Sequence, residues 1–375
     1  MKAAGILFLL AIAALAQPKR ARDLGVPFEG TPGVWNAITD VAGIEVGHTT
    51  LIEGDAVRTG VTVIWPRGKQ SDDPAFGGWF SLNGNGEMTG TTWLEESGFV
   101  DGPILITNTH SVGVVRDAYI AWQVEHKRKP GTNSFGGGFW SLPIVAETYD
   151  GFLNDTNGFH VKPAHVLQAL DAAASGRVPE GNVGGGTGMI CFGFKGGIGT
   201  SSRVAGKYRV AALVQCNCGA KRQLRIAGVP VGQELANQPV ASVPRPVEDR
   251  GSIIIVVTTD APLLSTQMKR LARRATLGLA RLGSTSGNGS GDIFIAFSTA
   301  NPNVAKPAGD TAAISMLSND ALGPIFEATV QATEEAIVNA MVAAEDMTGV
   351  DGHNVTALPH DGLQLVLKKY NRLGN

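Results

Sequence analysis

The junction between Gly251 and Ser252 has the clearest potential for chemistry in this sequence. A polar, proline-bearing stretch (232–250) runs here into Ser-Ile-Ile-Ile-Val-Val (252–257), a composition typical of a strand buried on both faces. If the Gly251–Ser252 bond is cut, Ser252 carries both a hydroxyl nucleophile and a free α-amine. Because an α-amine has a reference pKa of about 7.7–8.0, it can serve as the general base near neutral pH. The unhindered Gly251 also suits self-cleavage by an N→O acyl shift, although a Gly-Ser pair equally fits an ordinary loop.

Two polar, glycine-rich segments contain side chains that could assist such a serine. Segment 287–292 places the Ser290 hydroxyl and the Asp292 carboxylate two residues apart before a predicted strand. This pair could hydrogen-bond to the serine and its amine, or it could cap a turn. Segment 83–90, which includes Asn85, could line a pocket with amides and a carboxylate, or it could form a hairpin turn.

Three other signals argue against competing chemistries. The glycine-rich segment 184–189 resembles a phosphate loop but lacks the Gly-Lys-Ser/Thr ending of a nucleotide-binding motif. The sequence has seven histidines, yet no Gly-x-Ser-x-Gly motif surrounds Ser252. His110 lies in the polar cluster Asn-Thr-His-Ser (108–111) at a predicted strand end, where a structural histidine is favoured over a catalytic one.

The cysteines predict neither a disulfide framework nor a metal site. Cys191, Cys216 and Cys218 are few and odd in number, and their neighbourhood offers too few further Cys or His ligands for zinc. Core packing is the favoured role, with Cys216 and Cys218 on the same face of a strand. We expect no metal dependence.

Composition and the N-terminus restrict the partners and the location. The 375 residues are 43% hydrophobic with a formal net charge of −2, so no global basic field favours nucleic acid or an anionic membrane. Lys2, the apolar run 6–16 and Ala14-Leu15-Ala16 form the three parts of a signal peptide. This run is too short to span a bilayer. We expect cleavage before Gln17 and export to the periplasm or the medium, with no membrane attachment afterwards.

Hydrophobic periodicity predicts both strands and helices. The predicted elements are grouped in runs instead of a strict βαβ alternation, which favours an α+β fold of packed sheets covered by helices. The strands are predicted at 60–66, 103–107, 209–215, 251–257 and 292–297, and the helices at 163–176, 260–282 and 322–344.

Several ordered segments together resemble the L-aminopeptidase/D-esterase family of self-processing serine peptidases, whose close relatives are the β-peptidyl aminopeptidases. The likeness covers nearly all of the chain after the predicted signal peptide. The segments that carry it are 36–41, 83–90, 106–110, 146–151, 184–189, 250–254, 290–301 and 340–347.

The resemblance implies a fold, a processing event and an activity. The expected fold is an αββα four-layer sandwich that resembles N-terminal-nucleophile hydrolases with a different connectivity. The family cleaves itself at a Gly–Ser bond, which here would give an α chain (17–251) and a β chain (252–375) that together form one folded domain. Members release N-terminal residues from peptides, amides or esters without a cofactor. They assemble as oligomers of α/β heterodimers, here expected to be a tetramer or larger.

The resemblance also assigns roles to individual residues. Ser252 corresponds to the nucleophile that forms the acyl-enzyme, and Asn217 to the oxyanion-hole asparagine. Glu147 corresponds to the carboxylate that pairs with the substrate ammonium, and Asn85 is a further candidate for substrate binding. The remaining assignments are Ser290 and Asp292, which would orient the nucleophile and its amine, and Tyr149, whose hydroxyl would lie near the tetrahedral intermediate.

Other functions remain open at the level of the sequence. The fold is shared with acetyl-transferring enzymes of arginine synthesis, which use a threonine at the cut, so Ser252 and the predicted export argue against that activity. A secreted, non-catalytic binding protein would use the glycine-rich loops as ligand turns but would not split after Gly251. A β-peptidyl aminopeptidase is the alternative within the same family, and the preference for L-, D- or β-residues is not readable from the sequence.

Overall fold

The computed structural model describes residues 19–126, 139–236, 251–305 and 307–374. The predicted signal peptide (1–16) and positions 237–250 of the proline-bearing stretch lie outside the described residues. Within the described ranges, no helix combines the length and apolar character needed to cross a membrane.

The described elements comprise short and long strands together with helices that flank them. The strands are β1 (Glu45–Glu53), β2 (Val57–Trp65), β3 (Ala75–Ser81), β4 (Phe99–Val100), β5 (Ile104–Asn108), β6 (Ile144–Thr148), β7 (Ile190–Cys191), β8 (Phe194–Lys195), β9 (Gly197–Ala205), β10 (Tyr208–Asn217), β11 (Ser252–Thr259), β12 (Asp292–Ser298), β13 (Met347–Thr348) and β14 (Asn354–Val355). The helices are α1 (Thr91–Ser97), α2 (Val112–Glu125), α3 (Pro163–Ala172), α4 (Val231–Glu234), α5 (Ser265–Arg281), α6 (Gly323–Val342) and α7 (His360–Lys369).

Two larger sheets form the centre of the molecule. The four-stranded sheet has the order β1-β2-β5-β6, and the six-stranded sheet has the order β4-β3-β12-β11-β10-β9. Two neighbouring pairs are parallel, β5 with β6 and β11 with β12, whereas the other pairs within these sheets are antiparallel. Strand β11 lies in the interior of its sheet and all eight of its residues are buried, as its apolar sequence predicts.

The side chains of β11 point alternately to the two faces of its sheet, and this shows how the layers pack. Ile254 and Val256 belong to the core between the two sheets, whereas Ile253, Ile255 and Val257 face the core formed with α5 and α6. On the other side of the molecule, α2 and α3 pack on the four-stranded sheet around a third core. The order is therefore helices, sheet, sheet, helices, which confirms the predicted α+β four-layer sandwich.

Two helices are shorter than predicted because a residue at one end has a non-helical backbone conformation. Helix α3 stops at Ala172 because Ala173 takes ψ 130, four residues before the expected boundary. Helix α5 begins at Ser265, not at 260, because Leu264 is extended and its N–H donates to Gln267 Oε1 at 3.1 Å. Helix α6 keeps its predicted extent within two residues.

The cysteines differ from the expectation of simple core packing. Cys191 and Cys216 form a disulfide with a Cα–Cα distance of 5.6 Å. The β7–β8 hairpin packs against the end of β10 and thereby brings together two cysteines that are 25 residues apart, an approach that spacing could not reveal. Cys218 is buried with its Sγ 4.0 Å from that of Cys216, as expected for cysteines on one strand face.

Candidate active site

Ser252 and Asn217 face each other at one edge of the six-stranded sheet. They are register partners in the antiparallel pair β10–β11, and their exposed fractions are 6% and 5%. Alternation along β11 places Ser252 on the side of Ile254 and Val256, which faces the four-stranded sheet. The start of β11 therefore presents a hydroxyl and a neighbouring amide toward the gap between the sheets.

The segment 290–292 lies beside Ser252 because β12 runs parallel to β11. Asp292, the first residue of β12, is the register partner of Ile253. The Gly291 N–H donates to Ser252 Oγ at 3.0 Å, and Ser290 Oγ donates to Asp292 Oδ1 at 2.5 Å. Both Ser290 and Asp292 are fully buried, so this hydroxyl–carboxylate pair is fixed next to the strand start.

The orientation of the Asn217 amide is determined by its two main-chain partners. Ile190 N–H donates to Asn217 Oδ1 at 2.8 Å, and Asn217 Nδ2 donates to the Tyr149 carbonyl at 2.9 Å. Because a main-chain N–H can only donate and a carbonyl can only accept, the amide cannot be flipped. The second hydrogen on Nδ2 can be offered to an oxyanion formed at a carbonyl attacked by Ser252.

Glu147 is a buried carboxylate held by two donors. Thr109 Oγ1 donates to its Oε2, and the Glu87 N–H donates to its Oε1 at 2.9 Å. Burial raises the pKa of Glu147, the carboxylates of Glu87 and Asp150 raise it further, and the two hydrogen bonds act in the opposite direction. The site thus contains a desolvated anion whose natural partner is a cation from a ligand.

Gly86 brings this carboxylate close to the serine. A Cβ atom placed at Gly86 would lie 3.2 Å from Glu147 Oε1 and 3.1 Å from Gly291 Cα, so a larger residue would crowd both neighbours. The Asn85 side chain braces the same region, since its Nδ2 donates to the Gly289 carbonyl at 2.8 Å. The glycine-rich loops therefore meet between the two sheets, with Glu147 on one side and the donor to Ser252 on the other.

The main chain and the side chain of Tyr149 make separate contacts. Its carbonyl accepts from Asn217, whereas 54% of the residue is exposed. The phenol lies over Gly151, where a Cβ atom would be 2.2 Å from the Tyr149 hydroxyl oxygen. The residue is at the site, and the role of its hydroxyl stays a prediction.

Several groups in the site were not singled out by the sequence analysis. In the polar cluster 108–111 it is Thr109 that contacts Glu147, whereas the His110 ring stacks on Phe159 at a centroid distance of 6.0 Å. Gly291 was visible only as the spacer between Ser290 and Asp292. Lys195 is fully buried near Ile190, and no motif marks it in the sequence.

The fold and the site together define a class of protein. A serine at the start of an interior strand of a four-layer αββα sandwich, with a buried hydroxyl–carboxylate pair and an amide donor beside it, is the arrangement of a serine hydrolase of the N-terminal-nucleophile type.

Comparison with known proteins gives the same class and supplies the family. Residues 36–355 match peptidase family S58. The chain is 56% identical to a protein named beta-peptidyl aminopeptidase BapA from Sphingosinicella microcystinivorans, over 97% of this chain and 96% of that one. The chain therefore belongs to peptidase family S58, and it is a serine aminopeptidase.

Solved structures agree with this assignment. The L-aminopeptidase D-ala-esterase/amidase from Ochrobactrum anthropi, described as a prototype of the serine aminopeptidases and a variant of the Ntn hydrolase fold, superposes with a TM-score of 0.86 at 47% identity, covering 95% of this chain and 99% of that chain. A beta-aminopeptidase from a Burkholderia species superposes with a TM-score of 0.84 at 48% identity, covering 94% of this chain and 99% of that chain.

Proposed function

We propose that the chain cuts itself between Gly251 and Ser252 and then releases N-terminal residues, β-amino acids among them, through an acyl-enzyme on Ser252. The observation that carries this proposal is the position of Ser252 Oγ, which accepts from the Gly291 N–H at 3.0 Å opposite Asn217. A serine held at this strand start is ready to attack the carbonyl that precedes it and, after the cut, a substrate carbonyl in the same place.

The two reactions share a nucleophile, but only substrate turnover can use the Ser252 α-amine as the base, because this nitrogen belongs to the Gly251–Ser252 peptide bond until the cut. In self-cleavage, Ser252 Oγ attacks the Gly251 carbonyl carbon, and the hydroxyl proton passes to the amide nitrogen as the peptide C–N bond breaks. Water then hydrolyses the resulting ester and leaves the Ser252 α-amine free. The freed α-amine then accepts the hydroxyl proton as Ser252 Oγ attacks a substrate carbonyl. It returns this proton to the leaving amine, and water releases the acyl group. Asn217 Nδ2 donates to the oxyanion in each tetrahedral intermediate of this turnover.

The buried pair Ser290–Asp292 can stabilise the positive charge that develops on the Ser252 amine. When the Ser252 amine takes up a proton it becomes an ammonium ion, and an anionic hydrogen-bonded group next to it stabilises that state. Asp292 is the register partner of Ile253, one residue from the amine, and Ser290 donates to its carboxylate. We assign the pair to orienting and stabilising the amine, not to attacking the substrate.

Glu147 accounts for the exo-acting specificity. A buried carboxylate opposite a substrate ammonium favours peptides with a free N-terminus and rejects blocked ones, because a blocked substrate would leave the anion desolvated and unpaired. We propose β-residues as accepted substrates because two of the similar proteins described above bear the names beta-peptidyl aminopeptidase and beta-aminopeptidase. A β-residue places its amine one methylene further from the scissile carbonyl.

Hydrolysis of matched amides tests the proposed activity. We expect release of β-alanine and L-alanine from their p-nitroanilides. Release from N-acetyl-β-alanine p-nitroanilide should be at least about a hundredfold slower, because its uncharged amide cannot form an ion pair with Glu147. Initial rates followed by absorbance give kcat/KM for each compound. Equal rates for the free and acetylated compounds would contradict exo-acting specificity, and turnover of L-alanine alone would contradict the β-residue proposal.

Glu147 also predicts a pH dependence of substrate binding. Because the pKa of Glu147 is raised, the carboxylate becomes protonated at a higher pH than an ordinary glutamate. We therefore expect KM to rise on acidification through that pKa. In Glu147→Gln, KM should be about thirtyfold higher and independent of pH in this range, whereas the loss of kcat from protonation of the Ser252 amine should persist.

The exposed Glu96 on α1 supplies the matched control. Glu96→Gln makes the same chemical change outside the site and should leave both KM and its pH profile unchanged. A Glu147→Gln enzyme that retains the acidic rise in KM would remove Glu147 from ammonium recognition.

We propose that the protein is exported and oligomeric. Export is supported by Lys2 and the apolar run 6–16, and an intact-mass measurement with N-terminal sequencing would return Gln17 and Ser252 as the two chain starts. Assembly is supported by the family resemblance and by exposed aromatic side chains such as Trp93 and Trp140, whose ring centroids are 6.1 Å apart. Light scattering measures the number of α/β pairs.

A further inference from the structure

Lys195 is a fully buried lysine that donates to main-chain oxygens. It lies in β8 with no exposed surface, and its Nζ is 2.9 Å from the Met189 carbonyl oxygen, 2.9 Å from that of Gly196 and 3.5 Å from that of Gly186. Three acceptors around one nitrogen match the three donors of an ammonium group. Such a group is costly to bury, and the proposed reaction assigns it no step.

The peptide unit between Met189 and Ile190 connects this ammonium to the proposed oxyanion donor. Its carbonyl oxygen accepts from Lys195 Nζ and from the Gly196 N–H, both at 2.9 Å. Its N–H, on Ile190, donates to Asn217 Oδ1 at 2.8 Å. A continuous chain of hydrogen bonds therefore runs from Lys195 through one peptide group into the Asn217 amide.

We propose that Lys195 is a positioning residue that orients and polarises the Asn217 amide through the Met189–Ile190 peptide. A cation on the carbonyl oxygen makes the N–H of the same peptide a stronger donor, and that N–H in turn draws electron density toward Asn217 Oδ1. The Nδ2 hydrogens then become more acidic and bind a developing oxyanion more tightly. This inference rests on the proposed function, in which Asn217 is the oxyanion donor.

The environment of Lys195 favours an electrostatic contribution over simple packing. The site is water-excluded, so the ammonium acts on the peptide dipole with little screening. Burial lowers the pKa of Lys195 to about 7. The three main-chain oxygens around its Nζ are the kind of partner that a protonated amine requires. A purely structural link between β8 and the turn 184–186 would not act on kcat through Asn217, so the two roles predict different results in a double-mutant cycle with Asn217.

A double-mutant cycle between Lys195 and Asn217 tests the proposal. The variants are Lys195→Met, Lys195→Gln, Lys195→Arg, Asn217→Ala and the double variant Lys195→Met/Asn217→Ala. Lys207→Met is the matched control, because Lys207 is exposed in the turn before β10, at the end remote from Asn217. Values of kcat and KM for β-alanine p-nitroanilide are expressed per processed molecule, counted by intact mass, and circular dichroism establishes folding.

We expect Lys195→Met and Lys195→Gln to lower kcat about tenfold with KM unchanged, and Lys195→Arg to recover part of the loss. Asn217→Ala should lower kcat about a hundredfold, and adding Lys195→Met to it should change kcat less than about twofold. Lys207→Met should match the unmodified enzyme.

The outcomes separate this proposal from the one on which it rests. If Asn217→Ala leaves kcat unchanged, the oxyanion assignment itself fails. If Asn217→Ala lowers kcat but Lys195→Met costs the same factor in both backgrounds, only the positioning role of Lys195 is overturned. A change confined to KM, or failure of both neutral variants to fold and process, would assign Lys195 to structure and would also overturn it.

Discussion

Ser252→Ala is expected to yield a single uncut polypeptide with no aminopeptidase turnover. The substitution removes the only oxygen that the proposal uses to attack the Gly251 carbonyl, so the ester cannot form and the α-amine is never released. We expect a loss of activity on the order of 10⁴-fold or more, since nucleophile and base disappear together. A denaturing gel reports the cut, and release of p-nitroaniline reports turnover.

Two variants control for effects on folding. Ser315→Ala makes the same change at an exposed serine and should process and turn over normally. Ser252→Cys keeps a nucleophile at the junction and should still split, although more slowly. If the Ser252→Ala protein is still cut between residues 251 and 252, the assignment of the nucleophile is refuted.

Gly251→Ala is expected to slow processing strongly while leaving the activity of each processed molecule unchanged. A Cβ atom at position 251 would lie 1.9 Å from the Asn217 carbonyl oxygen and 2.9 Å from Cys218 Cα, and main-chain atoms cannot move aside as side chains do. The alanine would displace the scissile carbonyl from Ser252 Oγ. We expect self-cleavage to slow about a hundredfold, with uncut precursor as the main species by intact mass.

Turnover per processed molecule should stay near that of the unmodified enzyme, because residue 251 becomes the end of the first chain and leaves the nucleophile unchanged. Gly113→Ala is the matched control, since a Cβ atom there has nothing within 4 Å. Processing of Gly251→Ala at the normal rate would show that the precursor holds this junction in a different geometry.

Packed sheets covered by helices and the strand that follows Ser252 could be predicted from local patterns, whereas the four-layer order was implied by the family resemblance. The run after Ser252 is β-branched and fully apolar, which requires a strand covered on both faces, and β11 is such a strand. Apolar residues recur at three- and four-residue steps along α5 and α6, which requires one face of each helix to be buried against a sheet. Ser252, Ser290 and Asp292 could be singled out because each carries a hydroxyl or a carboxylate at or just before a predicted strand start, and the family resemblance supplied their roles.

The approach of distant segments could not be predicted, because it depends on how the two sheets stack. Gly86 reads as an ordinary turn glycine, yet a Cβ atom there would crowd Glu147 and Gly291. The 25-residue separation of Cys191 and Cys216 likewise gives no sign of their bond. Lys195 stands alone in a glycine-rich stretch with no motif around it, and only its complete burial in the folded protein makes it conspicuous.

The strand order of the larger sheet determines whether the two fragments of the proposed cleavage could separate. Strands β11 and β12 follow the junction in sequence, but they lie between β3 on one side and β10 on the other, which precede it. The two fragments of the proposed cleavage would therefore be interleaved in one hydrogen-bonded sheet, and they could separate only if that sheet were disrupted. After the proposed cleavage, refolding from denaturant would be a second-order reaction between two chains, whereas an uncut precursor would refold as one chain. Maturation would then make recovery from denaturation depend on protein concentration.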